Sequence, residues 1–465
     1  MLSDFRQPFM TLQSAAIDRQ PGTVEESSAQ ALAVSWWFMA LLALGASTLC
    51  AMVLVFARTP FLGFGAELFR TALVLHVDLA VVVWFLAVAA GVWLLAIPVT
   101  CCVLARCARA GIWLAGAGVL AMLLSPFADE ATPILANYVP VLDSPPFYFG
   151  LASFLAGVGL AGMAALASLA GHGFSRSDDC DPGFWRWMVA AAIVAFWAAI
   201  LVFLLALRGA GDDVSLDSRL WGGGHVLQIV HTLMLMAAWL CLGREALALV
   251  RLGRAVVIGL VAIELLAVLA DLLLALSFPV GSRAYRRGFT EVMRWVTWPA
   301  PVILASYLLI GYARLGKVRR LALVDRCLIG SIALFVLGCL VGASIRGETT
   351  AVPAHYHGTV GAVTLAYMIW ARGALERFGL ALSQGWSWRW QPLIYGAGIG
   401  LMVLGLAWAG RLGVPRKAPH VDTTVVENMH NVAMGLAGVG GLLATAGAGI
   451  FVLWILMAIW KRRSD

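Results

Sequence analysis

The chain has 465 residues, of which 62% are apolar and 12% charged, a balance that a water-soluble globule of this size does not carry. Its formal charge of +7 is accounted for by basic connections facing anionic lipid, and it gives no ground for a nucleic-acid partner. Membrane lipid is the solvent this composition implies, and a backbone in lipid must satisfy its own hydrogen bonds, as helices do.

Residues 1–30 are polar, with Asp4, Arg6, Glu25 and Glu26, and lack the basic start, apolar run and cleavage site of a signal peptide. They read as a retained tail. Residues 31–465 predict one all-α membrane domain of about twelve transmembrane helices. These begin near Ala31, Arg70, Gly111, Pro145, Trp187, Trp221, Ala255, Trp295, Arg326, Ala351, Gln391 and Glu427. An even number of spans puts both termini on one side. With the N-terminus inside, 20 of the 32 Lys and Arg residues fall in inner segments and 12 in outer ones, which makes both termini cytoplasmic. Trp221, Trp295 and Trp298 lie near span ends and read as interfacial anchors. The longer polar connections, such as His172 to Arg186, are too short to fold alone. The eight cysteines form no CxxC, no CxxCH and no zinc spacing, so Cys101, Cys102 and Cys107 read as free thiols near a cytoplasmic loop.

The histidines carry the chemistry. His76 lies in the second span, His225 and His231 in the sixth, His355 and His357 in the tenth, and His430 opens the twelfth. All are even-numbered spans, and His76, His225, His355 and His357 sit within about two turns of their predicted starts. A lone membrane histidine is either a helix-to-helix hydrogen bond or a ligand; a shared depth across three helices favours ligation. In His355-Tyr356-His357 the two rings point about 200° apart on a helix, so they cannot share one small metal ion. They can serve two planar cofactors on opposite sides of the helix, with His76 as the second axial ligand of one. Two haems fit that reading, one with two imidazoles and one with a single imidazole and an open position.

These residues resemble subunit I of the haem-copper oxidases, whose tenth helix carries a His-aromatic-His motif. The motif here is VPAHYHGTVGAVTLAYM, and the likeness extends to LFRTALVLHVDLAVVVWFL on the second span, FVLGCLVGASI on the ninth and GLAWAGRLGVPRK after the eleventh. The resemblance implies two non-covalent haems. His76 and His357 would be the axial pair of a low-spin haem, His355 the proximal ligand of a high-spin haem, and His225 the first copper ligand. Arg416 and Lys417 would meet haem propionates, although lipid phosphates fit the same chemistry.

The chain departs from the family at the copper site. Where the seventh helix should bring two adjacent histidines it reads ALSFPVG, with Ala275 and Leu276, and four residues after His225 stands Ile229. His231 is turned about 120° from His225 and about 9 Å deeper. Copper is therefore expected to be absent. Glu264 and Asp271, seven apart on the seventh span, lie near one face; they are either a proton relay or buried carboxylates held neutral or paired. Asp78 is expected to face away from His76.

What the resemblance implies is an oxidoreductase subunit in a bacterial cytoplasmic membrane. It would carry respiratory electrons from a cytochrome c or quinol donor, with a partner subunit, through the low-spin to the high-spin haem and on to oxygen or nitric oxide. A haem electron carrier or gas sensor on the same scaffold is the alternative. A haem-free twelve-helix transporter fits the hydropathy but not the histidines at matched depth.

Overall fold

The structure, a computed structural model, describes residues 24–57, 65–99, 101–172, 183–377, 379–380, 382, 385–417 and 427–464. Most of the polar tail 1–30 and of the His172 to Arg186 connection lies outside the described residues. The long helices are α1 (Val24–Ala57), α2 (Ala66–Ala96), α3 (Cys102–Phe127), α4 (Pro145–His172), α5 (Trp185–Gly209), α6 (Leu216–Leu242), α7 (Arg254–Ser277), α8 (Arg283–Val318), α9 (Leu323–Ala343), α10 (Ala351–Arg377), α11 (Trp386–Arg411) and α12 (Glu427–Ser464). The chain is an integral membrane protein of all-α, polytopic architecture. Among the described residues eleven of these helices are both long and apolar enough to cross a membrane. The remaining one, α10, has the length at 27 residues, or about 40 Å at 1.5 Å per residue. Its lower hydropathy comes from His355, Tyr356, His357, Thr359 and Thr364.

Helices α3 and α8 start furthest ahead of the positions that hydropathy suggests. Helix α3 begins at Cys102 rather than near Gly111, because Arg106 and Arg109 continue the helix past its apolar stretch. Helix α8 begins at Arg283 rather than near Trp295. Ser282 caps it by accepting from the Tyr285 N–H at 3.1 Å, and its first turns bury Tyr285 and Phe289 while Arg283 and Arg287 stay exposed. Such an amphipathic opening is helical without being apolar on average.

Consecutive antiparallel pairs, α3 with α4, α5 with α6, α9 with α10 and α11 with α12, make the most extensive contacts, and α12 packs back on α1. Interior side chains are continuous from α1 to α12, while leucines such as Leu49, Leu266 and Leu340 are exposed on the outside, as lipid-facing residues are. Helix α2 is interrupted by a seven-residue π-helix, Asp78–Trp84, the kind of irregularity often found at functional sites. Between α3 and α4 a hairpin pairs β1 (Thr132–Ile134) antiparallel with β2 (Val141–Asp143), placing Thr132 opposite Asp143.

Candidate functional site

A cavity of about 1000 Å³ runs through the bundle and is lined by His76, His231, His355, His357 and His430 together with apolar side chains. That is the upper end of the range for small-molecule sites, roughly 300–1000 Å³. Its wall on α12 includes Gly435 and Gly438, and a Cβ at either would meet nothing within 4 Å. These glycines keep the space open.

Three histidines are oriented alike. On α10 the His355 Nδ1–H donates to the Gly338 carbonyl of α9 at 2.7 Å, and the His357 Nδ1–H donates to the Pro353 carbonyl at 2.7 Å. On α2 the His76 Nδ1–H points at Ser47 of α1, with the carbonyl at 3.1 Å and Oγ at 2.9 Å; Ser47 Oγ in turn donates to the His76 carbonyl at 3.0 Å. A carbonyl only accepts, so each ring carries its proton on Nδ1 and its lone pair on Nε2. A backbone or hydroxyl partner that fixes the tautomer in this way is what metal-ligating histidines characteristically have. The glycines of the FVLGCLVGASI stretch serve the same end. A Cβ on Gly342 would stand 2.5 Å from His355 Nδ1, and one on Gly358 would stand 2.6 Å from the Gly338 Cα. The two helices meet backbone to backbone at Gly338 and Gly358, and the His355 ring packs against Gly342.

His225 is placed differently. Its Nδ1–H donates to the Trp221 carbonyl at 2.8 Å, and its Nε2 accepts from the Tyr138 hydroxyl at 3.0 Å. Tyr138 lines the cavity, and His225 is not among the lining residues. The Trp221, Tyr138 and Phe289 rings surround it at centroid distances of 5.0, 4.6 and 5.7 Å. Trp221 is therefore part of this cage as well as near a span end. Burial pushes the Tyr138 phenol above its ordinary range, and the Asp217 and Asp271 carboxylates add to that. Sequence reasoning did not single out Tyr138. The signal for it is Gly222-Gly223-Gly224, where added Cβ atoms would collide with Tyr285, Phe203 and Tyr138 respectively.

At the seventh helix Ala275 is half-buried and Leu276 is 68% exposed, so position 276 faces away from the bundle interior whatever side chain it holds. Among the described residues no three His, Cys, Asp or Glu side chains converge as a group that could hold a metal ion, and the His225 Nε2 lone pair accepts from Tyr138. Glu264 and Asp271 are both buried, Glu264 with neither carboxylate oxygen partnered and Asp271 with Oδ1 unpartnered. Neither lines the cavity. Asp78 is buried with both oxygens unpartnered at the start of the π-helix.

The hairpin closes one end of the cavity. Every residue from Leu135 to Pro140 lines it. Lys417 Nζ donates to the Leu135 carbonyl at 2.5 Å and to Asn137 Oδ1 at 3.1 Å, and the Asn137 N–H donates to Asp217 Oδ1 at 2.8 Å. Asp217 is paired with Arg286 at 3.2 Å, whose guanidinium lies 4.4 Å over the Trp221 ring. Arg416 lines the same end and pairs with Glu348. Lys417 has a positive φ of 60°, which turns it inward, and burial pulls its ammonium below its usual pKa, with Arg416 adding to the effect.

A solved structure of a haem-copper terminal oxidase dimer matches the chain with a TM-score of 0.69 and 15% identity, over 92% of this chain and 84% of that one. The fold is that of a haem-copper terminal oxidase chain. No family model matches the sequence. Among curated proteins an uncharacterized protein of Rickettsia prowazekii is 25% identical over 92% of this chain and 96% of its own length. An uncharacterized protein of Aquifex aeolicus is 28% identical over 74% and 86%.

Proposed function

We propose that the chain is a haem-binding electron-transfer subunit carrying two non-covalent haems. His76 and His357 would hold a low-spin haem between them, and His355 a high-spin haem on the other side of α10. The observation that supports this most strongly is the common tautomer: three rings around one cavity, each with its proton held on Nδ1 by a backbone or hydroxyl oxygen. Bound haem iron supplies one-electron chemistry, and iron with a single imidazole keeps a position for oxygen or nitric oxide. The protein's own part is to hold and orient. Ser47 and the Gly338 and Pro353 carbonyls keep the imidazole protons on Nδ1. Arg416 and Lys417 bring positive charge to the cavity end where haem carboxylates would sit, and the hairpin keeps bulk water from that end. A cytochrome c or quinol donor, a partner subunit and cytoplasmic termini complete the reading.

The engagement of His225 with Tyr138 favours a second reading. On the same two haems, a chain with no second metal works as an electron carrier or gas sensor rather than a rapid multi-electron reductase. The purified protein is expected to give about two haems per chain by pyridine haemochrome assay, a bis-histidine spectrum and no stoichiometric copper. A haem-free spectrum refutes the proposal. About one copper per chain, lost on His225→Ala, refutes the metal-free reading, and turnover with oxygen or nitric oxide separates enzyme from carrier.

A further inference from the structure

The axial arrangement leaves two of the five cavity histidines without a role, His430, whose Nε2 meets the Leu412 carbonyl at 3.1 Å, and His231. His231 stands six residues after His225 on α6, about 9 Å further along the helix. It lines the cavity, yet its Nδ1 is sealed inside the protein with no hydrogen-bond partner. The ring therefore straddles the wall, with one nitrogen turned into the protein. Its ring meets that of Phe85, also a lining residue, edge to face at 4.9 Å between centroids, and Phe85 meets Tyr367 of α10, which does not line the cavity, at 5.5 Å. Tyr367 is fully buried and its hydroxyl is unpartnered; the Trp84 indole N–H, on a ring 6.3 Å from Tyr367, is unpartnered too. Three orphan polar groups thus belong to rings that touch in succession, His231 through Phe85 to Tyr367 and on to Trp84, where α2, α6 and α10 meet at the end of the π-helix.

Buried groups of this kind are characteristically satisfied by ordered water, each molecule making about three hydrogen bonds. We infer that His231, Tyr367 and Trp84 hold internal water and form a proton inlet that joins the inner half of the bundle to the cavity. Imidazole suits the last position because it has a nitrogen on each side of the wall. A proton taken up at Nδ1 is balanced by one released from Nε2 into the cavity; no electron moves, and a turn of the ring that presents its N–H to the cavity again resets it for the next proton without carrying one back. Tyr367 lies ten residues beyond His357, about 15 Å along α10, and the same helix continues to the Arg372–Glu376 pair at 3.0 Å near its end. Glu264 and Asp271 do not line the cavity, so neither occupies this final position. The inference rests on the proposed electron-transfer function only for what consumes the proton.

Radiolytic hydroxyl labelling of the full chain in lipid discs tests the hydration directly. His231 and Tyr367 should label several-fold faster than Phe154, which is equally buried among apolar side chains, and Tyr367→Phe should slow labelling at His231. Labelling no faster than that of Phe154, or unchanged by Tyr367→Phe, overturns the inlet. In vesicles holding the haem-loaded protein, His231→Phe should slow oxidant-linked proton uptake by about a hundredfold, the scale of a lost acid-base group, with the bis-histidine spectrum intact. Unchanged uptake also overturns it. If the wild type shows no haem spectrum, the electron-transfer reading fails while the labelling still decides the inlet.

Discussion

Replacing Gly342 with alanine should remove the high-spin haem and spare the low-spin one. The new Cβ would stand 2.5 Å from His355 Nδ1 and 2.8 Å from Cε1, where ordinary contact needs roughly 3.5–4.0 Å. Helices α9 and α10 cannot part to make room without losing the Gly338–Gly358 contact, so the His355 ring must swing and give up its 2.7 Å bond to the Gly338 carbonyl. Overpacking of this size costs about 1–3 kcal/mol, and a lost hydrogen bond about 1 kcal/mol. At about 1.4 kcal/mol per tenfold, affinity at His355 falls roughly thirty- to several-hundred-fold. His357 bonds within its own helix, and His76 to Ser47, so neither is touched. Carbon monoxide reports the open-position haem: the reduced-plus-CO minus reduced difference should collapse in Gly342→Ala while the bis-histidine bands persist. A full CO difference with affinity within twofold of wild type would show that His355 is not held as described.

Other perturbations reach other parts of the site. His76→Ala or His357→Ala should abolish the bis-histidine spectrum, and Ser47→Ala should weaken it by freeing the His76 ring; a normal spectrum in either histidine variant excludes that residue as a ligand. Tyr138→Phe leaves the His225 Nε2 buried without its donor and should lower stability by about 1–3 kcal/mol, read as a reduced thermal midpoint; an unchanged midpoint argues against the cage. Cys101 is fully exposed, and the Leu104 and Val103 backbone N–H groups at the start of α3 pull its thiol below the usual value. Its alkylation should persist at a lower pH than that of an ordinary thiol, falling off as pH drops through the depressed value, and an impermeant maleimide should reach it only from the cytoplasmic side. Labelling from the outer side reverses the orientation.

The spans were legible because lipid imposes a hydropathy signal on each one, although that signal is weaker on α10. The starts of α3 and α8 were not, since Arg106, Arg283 and Arg287 extend helices into a polar environment where hydropathy carries no information. Depth grouped His76, His225, His355 and His357, the family resemblance paired His76 with His357, and the structure brings all but His225 to the wall of one cavity. The environment of His225 could not be read the same way. Its partner Tyr138 is 87 residues away in a connection with no motif of its own, and only the Gly222-Gly223-Gly224 run hinted that something large lay against α6. Likewise the spacing of Glu264 and Asp271 says which helix face they share, but not that this face looks away from the cavity.

The hairpin over the cavity ties the assembly of the protein to its own chain order. Its strands lie between α3 and α4 and are synthesised early, whereas Lys417, which holds Leu135 and Asn137 from 282 and 280 residues away, reaches the membrane only with the last helix pair. Until then the cavity lacks the walls that α11 and α12 supply as well as a fastened roof. A bulky planar group can therefore be received before the last helix pair closes the cavity, and a chain stopped after α10 would keep His76, His355 and His357 while leaving the hairpin without this tether.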